Sequence, residues 1–385
     1  MKASVVSTDS SDSSTAGKFL ATEIRNSLSK PPAAFILFAA PQHDHGAMLS
    51  AIKRELPDTI VVGASSAGEF TNVTSGQGSA CALGLVGDDV VFSYSVGRNL
   101  AMDASAAAKE IVSRFTPTPP GRFPFRAALV LADALAGHAD ILVDQLTLAT
   151  AGQYQFFGGG AGDNAQFQKT TVFCGEEVIS DAAVALEILS SKPLGVGVSH
   201  GWTPASRAYR VTASDGMRVV SLDGFPAIEA FEEHAQETHQ RLDRKEPLPF
   251  FLHNIIGVDS GAEHRLRVPL AVDTEGAVMC AAEIPVGSVV RIMKTSTASA
   301  VSAAKQAANA ALDALGGPPA AALFFDCVAT RLRMGDEFGL ELSSLQERFS
   351  EAPLTGCNTH GQIARAEGQF SGFHNCTAVV CVFPE

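Results

Sequence analysis

Three short turns of small residues carry polar side chains that are suited to binding a ligand. They read Gly63-Ala-Ser-Ser-Ala-Gly-Glu69, Gly158-Gly-Gly-Ala-Gly-Asp163 and Cys357-Asn-Thr-His-Gly-Gln362. Small residues let the backbone approach a ligand closely, and the free N–H groups of such turns bind anions. The side chains that we predict to contact a ligand there are Ser65, Ser66, Glu69, Asp163, Asn164, Thr359, His360 and Gln362. For the Gly and Ser positions, a tight turn with a capping role is the competing interpretation.

Arg331 is the cation that we expect to bind an anionic group of the ligand. The run Phe324–Val328 has the composition of a buried strand, and polar residues begin again at Thr330. A guanidinium at the end of a rigid strand can bind a carboxylate through two parallel hydrogen bonds. The alternative role for Arg331 is a structural ion pair at the surface or between two regions of the chain.

Two side chains in these turns also have the chemistry of catalytic nucleophiles. Ser65 follows a predicted strand, but its turn lacks the second Gly of the G-x-S-x-G motif of hydrolases. Cys357 with His360 or His374 would make a thiol dyad, although a small buried Cys beside a structural His is the simpler interpretation. We therefore predict that the protein is not an enzyme, and a Ser or Cys hydrolase is an alternative.

Neither the histidines nor the cysteines have the spacing of a metal site. His43 and His45 flank Asp44, which has the position of a helix cap, and no third ligand is placed near them. The seven cysteines are an odd number without a C-x-x-C pair, and Cys81 and Cys381 lie in apolar runs typical of strands. We therefore predict no metal, and reduced core cysteines in a cytoplasmic protein.

The charge and length of the chain exclude several classes of partner. The 385 residues are enough for two or three domains, and the net charge is −13. Nucleic-acid backbones and anionic membrane surfaces require a basic face, so we expect no nucleic acid as a partner. No apolar run approaches the length of a bilayer span, which predicts no membrane insertion. Residues 1–17 are rich in Ser and Thr and poor in apolar side chains, so we expect a disordered tail there.

One local plan recurs three times along the chain and positions the three turns. In each unit an apolar strand, a helix and a second strand precede the turn, and two further strands follow it. The units begin with the strands Ala34–Ala39, Ala127–Ala132 and Ala321–Cys327, and residues 192–315 depart from the plan. A helix between two strands favours a parallel crossover, and hairpins add antiparallel strands; Gly87-Asp-Asp89 is such a hairpin signal.

The predicted fold class is therefore α/β, with two domains of mixed parallel and antiparallel sheets flanked by helices. These sheets would be built from internally repeated β-α-β-β-β units. In open sheets of this kind, ligands bind beyond the carboxyl ends of the parallel strands, which is where the three turns follow.

Four segments together give the chain a resemblance to the FIST family, with its FIST N and FIST C regions. They are Val62–Phe70, Leu222–Glu229, Phe325–Arg331 and Thr355–Ile363, the last followed by Phe373-His-Asn375. The order and spacing of these segments carry the resemblance. It implies a FIST N-like sensory domain at residues 18–222 and a FIST C-like domain at residues 223–385.

The resemblance also implies an intracellular sensory protein that binds a small ligand. We expect the ligand to be a small anionic metabolite such as an amino acid. No output domain is recognised in the sequence, so we expect a signalling partner in trans: a histidine kinase, a cyclic-di-GMP enzyme or a chemotaxis receptor. At the third turn the family usually has an aromatic-Thr-Tyr-Gly-Glu run, whereas this chain has Cys357–Gln362, so its ligand is expected to differ.

Haem is the alternative ligand, because part of the family is associated with haem and nitric-oxide sensing. On that interpretation the chain would be a nitric-oxide sensor that regulates a histidine kinase or a cyclic-di-GMP enzyme. A single axial histidine would hold the iron, with His200, His360 and His374 as the candidates. No C-x-x-C-H attachment motif is present, and the leading interpretation requires no cofactor.

Overall fold

A computed structural model describes residues 1–117, 121–261, 264–349, 351–365 and 372–385. Within these ranges the strands form three six-stranded sheets and one nine-stranded sheet. Each six-stranded sheet contains a parallel pair flanked by antiparallel strands, and helices pack on it. The predicted α/β class with mixed sheets is confirmed. No helix in the described ranges is both long and apolar enough to cross a bilayer.

Each six-stranded sheet is built around one repeat unit. Unit 1 contains β1 (Lys2–Thr8), α1 (Ser13–Ser27), β2 (Ala34–Ala39), α2 (His45–Glu55), β3 (Ile60–Ser65), β4 (Glu69–Thr71), β5 (Ser75–Gly76) and β6 (Ala80–Val86). Unit 2 contains β7 (Val90–Arg98), α3 (Ala104–Ser113), β8 (Phe125–Ala132), α4 (Ala139–Ala149), β9 (Gln155–Gly160), β10 (Val172–Cys174), β11 (Glu177–Ile179) and β12 (Ala182–Ser190).

Unit 3 starts with one strand, β13 (Gly195–Ser199), and is then interrupted by an insertion. The insertion contains β14 (Thr203–Pro204), β15 (Tyr209–Asp215), β16 (Arg218–Leu222), β17 (Phe225–Pro226), α5 (Ala227–Glu237), α6 (Leu248–Phe251), β18 (Ile255–Asp259), β19 (His264–Arg267), β20 (Pro269–Val272), β21 (Val278–Cys280) and β22 (Val289–Lys294). Its strands form the nine-stranded sheet, sheet 4. The domain boundary predicted after Leu222 falls between β16 and β17, which pair with each other in this sheet.

The rest of unit 3 follows the insertion and repeats the plan of the first two units. It contains α7 (Thr297–Leu315), β23 (Pro319–Cys327), α8 (Val328–Met334), α9 (Phe338–Arg348), β24 (Leu354–Thr359), β25 (Gln362–Arg365), β26 (Phe373–His374) and β27 (Ala378–Pro384). Its first and second strands, β23 and β24, are parallel, as are β2 and β3 in unit 1 and β8 and β9 in unit 2.

Each unit also completes the sheet of another unit. The strand orders are β1-β6-β2-β3-β10-β11 in sheet 1, β26-β25-β9-β8-β12-β7 in sheet 2 and β13-β27-β23-β24-β4-β5 in sheet 3. The hairpin after the second parallel strand therefore leaves its own sheet: β4–β5 joins sheet 3, β10–β11 joins sheet 1 and β25–β26 joins sheet 2. This exchange links the three units in a ring and places each turn where two sheets meet.

The inner faces of the three sheets share one apolar core. Phe38, Leu131 and Phe325 come from the three different units and belong to that core. Helices α1 and α2 cover the outer face of sheet 1, α3 and α4 that of sheet 2, and α7 and α9 that of sheet 3. Full burial of one such aromatic or aliphatic side chain contributes roughly 1.5–3 kcal/mol, so this core fixes the sheets relative to one another.

The prediction of a disordered tail at residues 1–17 is wrong. Lys2–Thr8 forms β1, which pairs with β6 along its whole length, and α1 begins at Ser13. The Asp12 side chain caps this helix by accepting a hydrogen bond from the Thr15 N–H at 2.7 Å. The Ser- and Thr-rich composition suggested disorder, but strand pairing uses backbone hydrogen bonds and does not need apolar side chains. Three buried residues of the segment, including Ala16, are enough to pack the start of α1.

The predicted hairpin around Gly87-Asp-Asp89 is also wrong. β6 lies between β1 and β2, so neither of its edges is free for β7. β7 instead pairs with β12 in sheet 2. The chain does turn at Gly87-Asp-Asp89, but this turn connects sheet 1 to sheet 2 and does not join two paired strands.

Candidate functional site

The three predicted turns meet at one place, at the carboxyl ends of β3, β9 and β24. Backbone hydrogen bonds link them in a ring, from the Gly162 N–H to the Ser65 carbonyl (2.8 Å), from Ala67 to Asn358 (2.9 Å) and from His360 to Gly160 (3.1 Å). Each turn donates one of these bonds and accepts one. The ring brings the predicted turns of all three units together.

In the first turn, the polar side chains bond to one another and to nearby backbone. Ser65 Oγ accepts a hydrogen bond from the Thr171 N–H at 3.0 Å. Ser66 Oγ donates to one oxygen of Glu69, and Ser79 donates to the other through its N–H (3.2 Å) and its hydroxyl (2.9 Å). Burial raises the pKa of the Glu69 carboxyl, and the serine donors oppose that rise. These contacts stabilise the turn.

In the second turn, Asp163 organises the loop that follows β9. Its carboxylate accepts hydrogen bonds from four backbone N–H groups, those of Gln166, Phe167, Gln168 and Lys169. Burial acts to raise the pKa of Asp163, but these donors lower it below its usual value. Asn164 has a left-handed backbone, with φ of 58°, and its buried Oδ1 has no partner in the described part of the chain.

In the third turn, Thr359 and Gln362 also bond within the protein. The Thr359 hydroxyl donates to the Asp326 carbonyl at 3.2 Å and accepts from Gln362 Nε2 at 2.9 Å. Gln362 Oε1 accepts from the Thr377 N–H at 3.3 Å. The two side chains therefore connect the third turn to β23 and to the segment before β27.

His360 lies between the second and third turns and differs from its neighbours. Its Nε2 is 3.6 Å from Asp163 Oδ1, and its ring stacks on Phe167 with centroids 4.9 Å apart. Neither ring nitrogen has a hydrogen-bond partner among the described residues. Burial lowers the pKa of His360 to about 4 despite Asp163, so the imidazole is neutral at pH 7.

A row of polar side chains crosses the carboxyl end of sheet 3. Asp326 and Asn358 are register partners on β23 and β24, and each is about 1% exposed. They alternate with Phe325 and Cys357, which belong to the inner core, so both side chains lie on the face that the helices cover. Two arginines of α8 and a glutamate of α9 lie on the same face. We name the carboxyl-end row by its five residues: Asp326, Asn358, Arg331, Arg333 and Glu341.

The carboxyl-end row contains buried polar atoms that no described residue satisfies. These atoms are Asp326 Oδ2, Asn358 Nδ2, Arg331 Nε, Arg331 Nη1, Arg333 Nε and Glu341 Oε2. Buried polar groups in proteins are nearly always paired with protein, water or ligand. The row is therefore a strip where polar atoms of a ligand or of ordered water are needed, and it offers donors and acceptors side by side.

Arg331 approaches the first turn beside Gly68. A Cβ atom at Gly68 would lie 2.7 Å from Arg331 Nη1 and 2.8 Å from Asn358 Oδ1, so glycine leaves the room that both side chains occupy. Burial lowers the pKa of the Arg331 guanidinium, and the charge of Glu69 opposes this. The sequence placed Arg331 on a polar extension of the strand, whereas it lies in α8, which begins directly after β23.

A small cavity lies at the other end of the row. It has a volume of about 10 Å³ and is bordered by Asp326, Arg333 and Glu341 together with Trp202; this is roughly the space of one water molecule. Burial and the neighbouring Glu341 raise the pKa of Asp326 well above its usual value. Burial raises the pKa of Glu341 to about 8, with Arg333 opposing. Both carboxyl groups therefore hold protons more tightly than they would in water.

Sequence reasoning missed four residues of the row. Asp326, Asn358, Arg333 and Glu341 were not among the predicted contacts. The available signal was Asp326, because an aspartate inside a run of buried strand residues is unusual and calls for a specific reason. Asn358 lies within the third turn but precedes the residues that were selected from it. Arg333 and Glu341 lie on helices whose packing the sequence pattern does not specify.

At the positions predicted for a hydrolase, Ser65 and Cys357, the described residues place no base beside the nucleophile. Ser65 accepts a hydrogen bond from a backbone N–H, and no base contacts it in the described residues. Burial raises the pKa of the Cys357 thiol well above its usual value, and the nearby Cys81 and Glu69 raise it further. A thiol of this kind is a weak nucleophile at neutral pH.

The histidine alternatives were also compared with the geometry. Asp44 caps α2, as predicted, by accepting a hydrogen bond from the Ala47 N–H at 3.0 Å. The described residues contain no group of three potential ligands placed to hold a metal ion. The three candidate haem ligands have different surroundings. His374 Nε2 lies 3.0 Å from the Ala364 carbonyl, and the ring of His360 stacks on Phe167. His200 borders the cavity of about 10 Å³.

Comparison with known proteins connects this architecture with a family. The model of the FIST N domain matches residues 33–224, and that of the FIST C domain matches residues 227–365. An uncharacterized protein of Mycobacterium tuberculosis (strain ATCC 25618 / H37Rv) is 24% identical over 260 residues, which is 66% of this chain and 67% of that protein. An uncharacterized protein of Mycobacterium bovis is 22% identical over 231 residues, 59% of each chain.

Proposed function

Because the chain belongs to the FIST family, whose domains are associated with sensory and signal-transduction roles, we propose that it is a non-enzymatic sensor of a small amino-acid-like ligand. The ligand binds along the carboxyl-end row at the end of sheet 3, and because the cavity there has a volume of only about 10 Å³, the row must open to admit it. The observation that carries this proposal is the set of unsatisfied buried donors and acceptors in that row.

Arg331 binds the anionic end of the ligand. Two of its nitrogens, Nε and Nη1, are buried and without a partner in the described residues. They lie on different edges of the guanidinium, so a carboxylate would bind one of them together with Nη2. Asn358 Nδ2 is a further free donor beside it. A carboxylate placed there would replace the missing hydrogen bonds and offset the cost of burying the guanidinium charge.

Asp326 and Glu341 bind the cationic end of the ligand. Each has one buried carboxyl oxygen without a partner in the described part of the chain, and both side chains border the small cavity. An ammonium group would supply donors to these oxygens and would favour their charged forms. A ligand with a carboxylate at one end and an ammonium group at the other therefore matches both ends of the row.

The sensor acts in the cytoplasm and signals through a separate protein. All seven cysteines are unpaired, as is usual in a reducing compartment. The partner is a histidine kinase, a cyclic-di-GMP enzyme or a chemotaxis receptor. Ligand binding would bridge the first turn and helices α8 and α9, so a change in the packing of α8 is the signal that we expect the partner to detect.

The substitution Arg331→Lys tests the proposal. Small molecules released from the denatured protein are identified by mass spectrometry and titrated back by calorimetry; if none is released, the common α-amino acids are titrated. Lysine keeps the charge but loses the fork, so we expect affinity to fall about tenfold or more, roughly 1.4 kcal/mol. The melting temperature of the ligand-free protein should not change.

The exposed Arg54, at the end of α2, provides the matched control, because Arg54→Lys should alter neither quantity. Unchanged affinity in Arg331→Lys would reject the anchor role. A lower melting temperature, with binding lost only in proportion, would assign Arg331 to a structural ion pair instead. An absorption spectrum with a Soret band in the purified protein would favour the haem alternative.

A further inference from the structure

A short loop after the second turn begins beside the carboxyl-end row. It comprises residues 164–169, and we refer to it as loop 164–169. Gly162, just before the loop, is packed against the first turn, because a Cβ atom there would lie 2.7 Å from the Ala67 nitrogen. The Ala67 N–H in turn donates to the carbonyl of Asn358, a residue of the row, at 2.9 Å. The loop therefore leaves the backbone ring next to the end of the row that holds Arg331.

A single side chain holds loop 164–169 in place. Within the described part of the chain, every hydrogen bond of the loop goes to Asp163, whose carboxylate accepts four N–H groups at 2.7–3.1 Å. The backbone is left-handed at Asn164, Ala165 and Phe167, with φ of 58°, 61° and 53°. A side chain makes this conformation unfavourable, least so for asparagine. The closed loop therefore depends on the Asp163 carboxylate.

Loop 164–169 can move without breaking an apolar core. None of its residues belongs to a core cluster of the described chain, and residues 166–169 are exposed. Helices α8 and α9, which carry three residues of the row, instead place Met334, Phe338 and Leu345 in the core of sheet 3. Local opening occurs most readily where few buried apolar contacts are lost. Of the elements beside the row, the loop is therefore the one that opens most easily.

Phe167 closes the loop over His360. The two rings stack with their centroids 4.9 Å apart. Phe167 is 44% exposed, whereas the side chain of His360 is only 6% exposed. Neither ring nitrogen of His360 has a partner among the described residues, and the same holds for Asn164 Oδ1. Buried polar atoms of this kind call for a ligand or ordered water, so the space under Phe167 is a place where a polar group is needed.

We propose that loop 164–169 is a lid that opens to admit the ligand to the carboxyl-end row. On opening, the loop releases its hydrogen bonds to Asp163, and Phe167 leaves the ring of His360. The inference rests on the proposed function, since the row is the site that the lid serves. It goes further by naming the element that moves, because the cavity of about 10 Å³ admits no amino acid while the row is closed.

The lid also gives His360 a role once the ligand is bound. Burial lowers the pKa of His360 to about 4, and the charge of Arg331 contributes to the lowering, so the imidazole is neutral at pH 7. A neutral imidazole has one N–H donor and one nitrogen acceptor. A ligand carboxylate beside Arg331 would accept from the donor, and the closed lid would keep water away from that contact.

Opening of the lid can be measured without a ligand, through the reaction of histidines with diethyl pyrocarbonate. The reagent modifies neutral imidazoles that it can reach, and peptide mapping by mass spectrometry gives the rate at each site. In the full chain at pH 7, exposed His138 and His239 should react fastest, and buried His234 slowest. His360 should react at an intermediate rate, because the lid uncovers it. A His360 that reacts as slowly as His234 would show that the loop stays closed and would overturn the proposal.

Two variants identify the contacts that close the lid. Phe167→Ala removes the stacked ring, so His360 should react about threefold faster or more. Asp163→Asn keeps only one acceptor oxygen and removes the charge, so the rate should rise about tenfold or more. Phe225→Ala is the matched control, because Phe225 is an exposed aromatic side chain outside the loop, and it should leave the rate unchanged. An unchanged rate in both loop variants would contradict the lid, and the wild-type rates decide whether the loop moves even if a variant fails to fold.

The link to the ligand is tested by the kinetics of binding. The common α-amino acids are titrated, and for each one that binds, stopped-flow measurements compare the wild type with Phe167→Ala. Association and dissociation should both be about threefold faster in the variant, since the lid limits both, and affinity should change little. Unchanged rates beside a faster reaction at His360 would show that the ligand enters elsewhere, and would reject the lid. Binding of none of the amino acids would count against the proposed function, and the wild-type histidine rates would still decide whether the loop opens.

Discussion

The carboxyl ends of the parallel strands carry different chemistry in the first two units and in the third. One equivalent position of the parallel pair can be compared in the three units. Its register partners are Ala39 and Ser65 in unit 1, Ala132 and Gly160 in unit 2, and Asp326 and Asn358 in unit 3. The position is defined as the residue after the last core residue of the first strand, namely Phe38, Leu131 or Phe325. The carbonyls of Ser65, Gly160 and Asn358 also accept the three bonds of the ring.

A repeated scaffold can hold a site that is unfavourable for stability. In units 1 and 2 the position is filled by small side chains, and the nearby Glu69 and Asp163 are satisfied within the protein. Unit 3 instead buries two carboxyl groups beside two arginines, and several of their polar atoms have no partner among the residues that the structure describes. The two satisfied turns and the shared core fix the backbone, so the third unit can carry polar groups that do not stabilise it.

Unit 3 also differs by its insertion. Trp202, which borders the cavity, lies at the start of that insertion, and Arg333 lies 5.9 Å from the centre of its ring. The insertion therefore covers the outer end of the carboxyl-end row. Units 1 and 2 have only a short loop at the corresponding step between the outer strand and the first helix.

The largest expected effect comes from placing the chemistry of unit 3 in unit 2. Ala132 is fully buried against the helices of sheet 2. In Ala132→Asp a carboxyl group would be buried within this apolar cluster, so we expect a loss of about 3 kcal/mol or more in the free energy of unfolding. Urea denaturation followed by circular dichroism measures the change.

The reverse substitution is the matched control. Asp326→Ala removes a buried carboxyl group with an unpaired oxygen, so the ligand-free protein should change by less than about 1 kcal/mol. If Ala132→Asp were tolerated equally well, the strand ends of units 2 and 3 would not differ in how they accommodate a buried carboxyl group.

A smaller effect concerns the pH dependence of unit 3. The pKa of Glu341 is raised by burial to about 8 in the folded protein, from an ordinary value of 4.5. The folded state then binds the proton more tightly than the unfolded state, so this contribution to stability is full below pH 4.5 and is lost as the pH rises to about 8. Glu341→Gln removes the titration.

Between pH 5 and pH 8, the ligand-free wild type should lose more than about 1 kcal/mol relative to Glu341→Gln. Denaturation curves of both proteins at the two pH values give this difference directly. Glu347, exposed on the same helix, supplies the control, because Glu347→Gln should follow the wild type. Parallel stability curves for wild type and Glu341→Gln would show that Glu341 is not held in an unfavourable charged state.

The parts of the fold that depend on residues close in sequence were predictable. The strand Ala34–Ala39 and the turns after β3, β9 and β24 follow from apolar runs and clusters of small residues. The exchange of hairpins between units was not predictable, since strands of two to four residues carry no pattern that selects a neighbouring strand. For the same reason the chain after Gly87 was expected to fold back on β6, where no edge is free.

The candidate site was predictable in place but not in composition. The turns indicated the end of the sheets at which the candidate site lies, and Arg331 was selected from its position after a buried strand. Glu69 and Asp163, however, turned out to be engaged by nearby donors, because polar atoms close in sequence satisfy one another first. Whether Asp326 has a partner depends on α8 and α9, and their positions come from tertiary packing alone.

The smallest expected effect tests whether Ser65 belongs to the scaffold or to the site. The Ser65 hydroxyl accepts a hydrogen bond from the Thr171 N–H and lies on the unit 1 side of the ring. Ser65→Ala would leave that buried N–H unpaired, so we expect a loss of about 1 kcal/mol in the free energy of unfolding. Ligand affinity should stay within about twofold of wild type, because no atom of the carboxyl-end row loses a contact. Calorimetric titration and urea denaturation of one preparation measure both quantities. A tenfold loss of affinity without a loss of stability would instead place Ser65 among the ligand contacts, as its position in the first turn predicts, and would extend the site from unit 3 into unit 1.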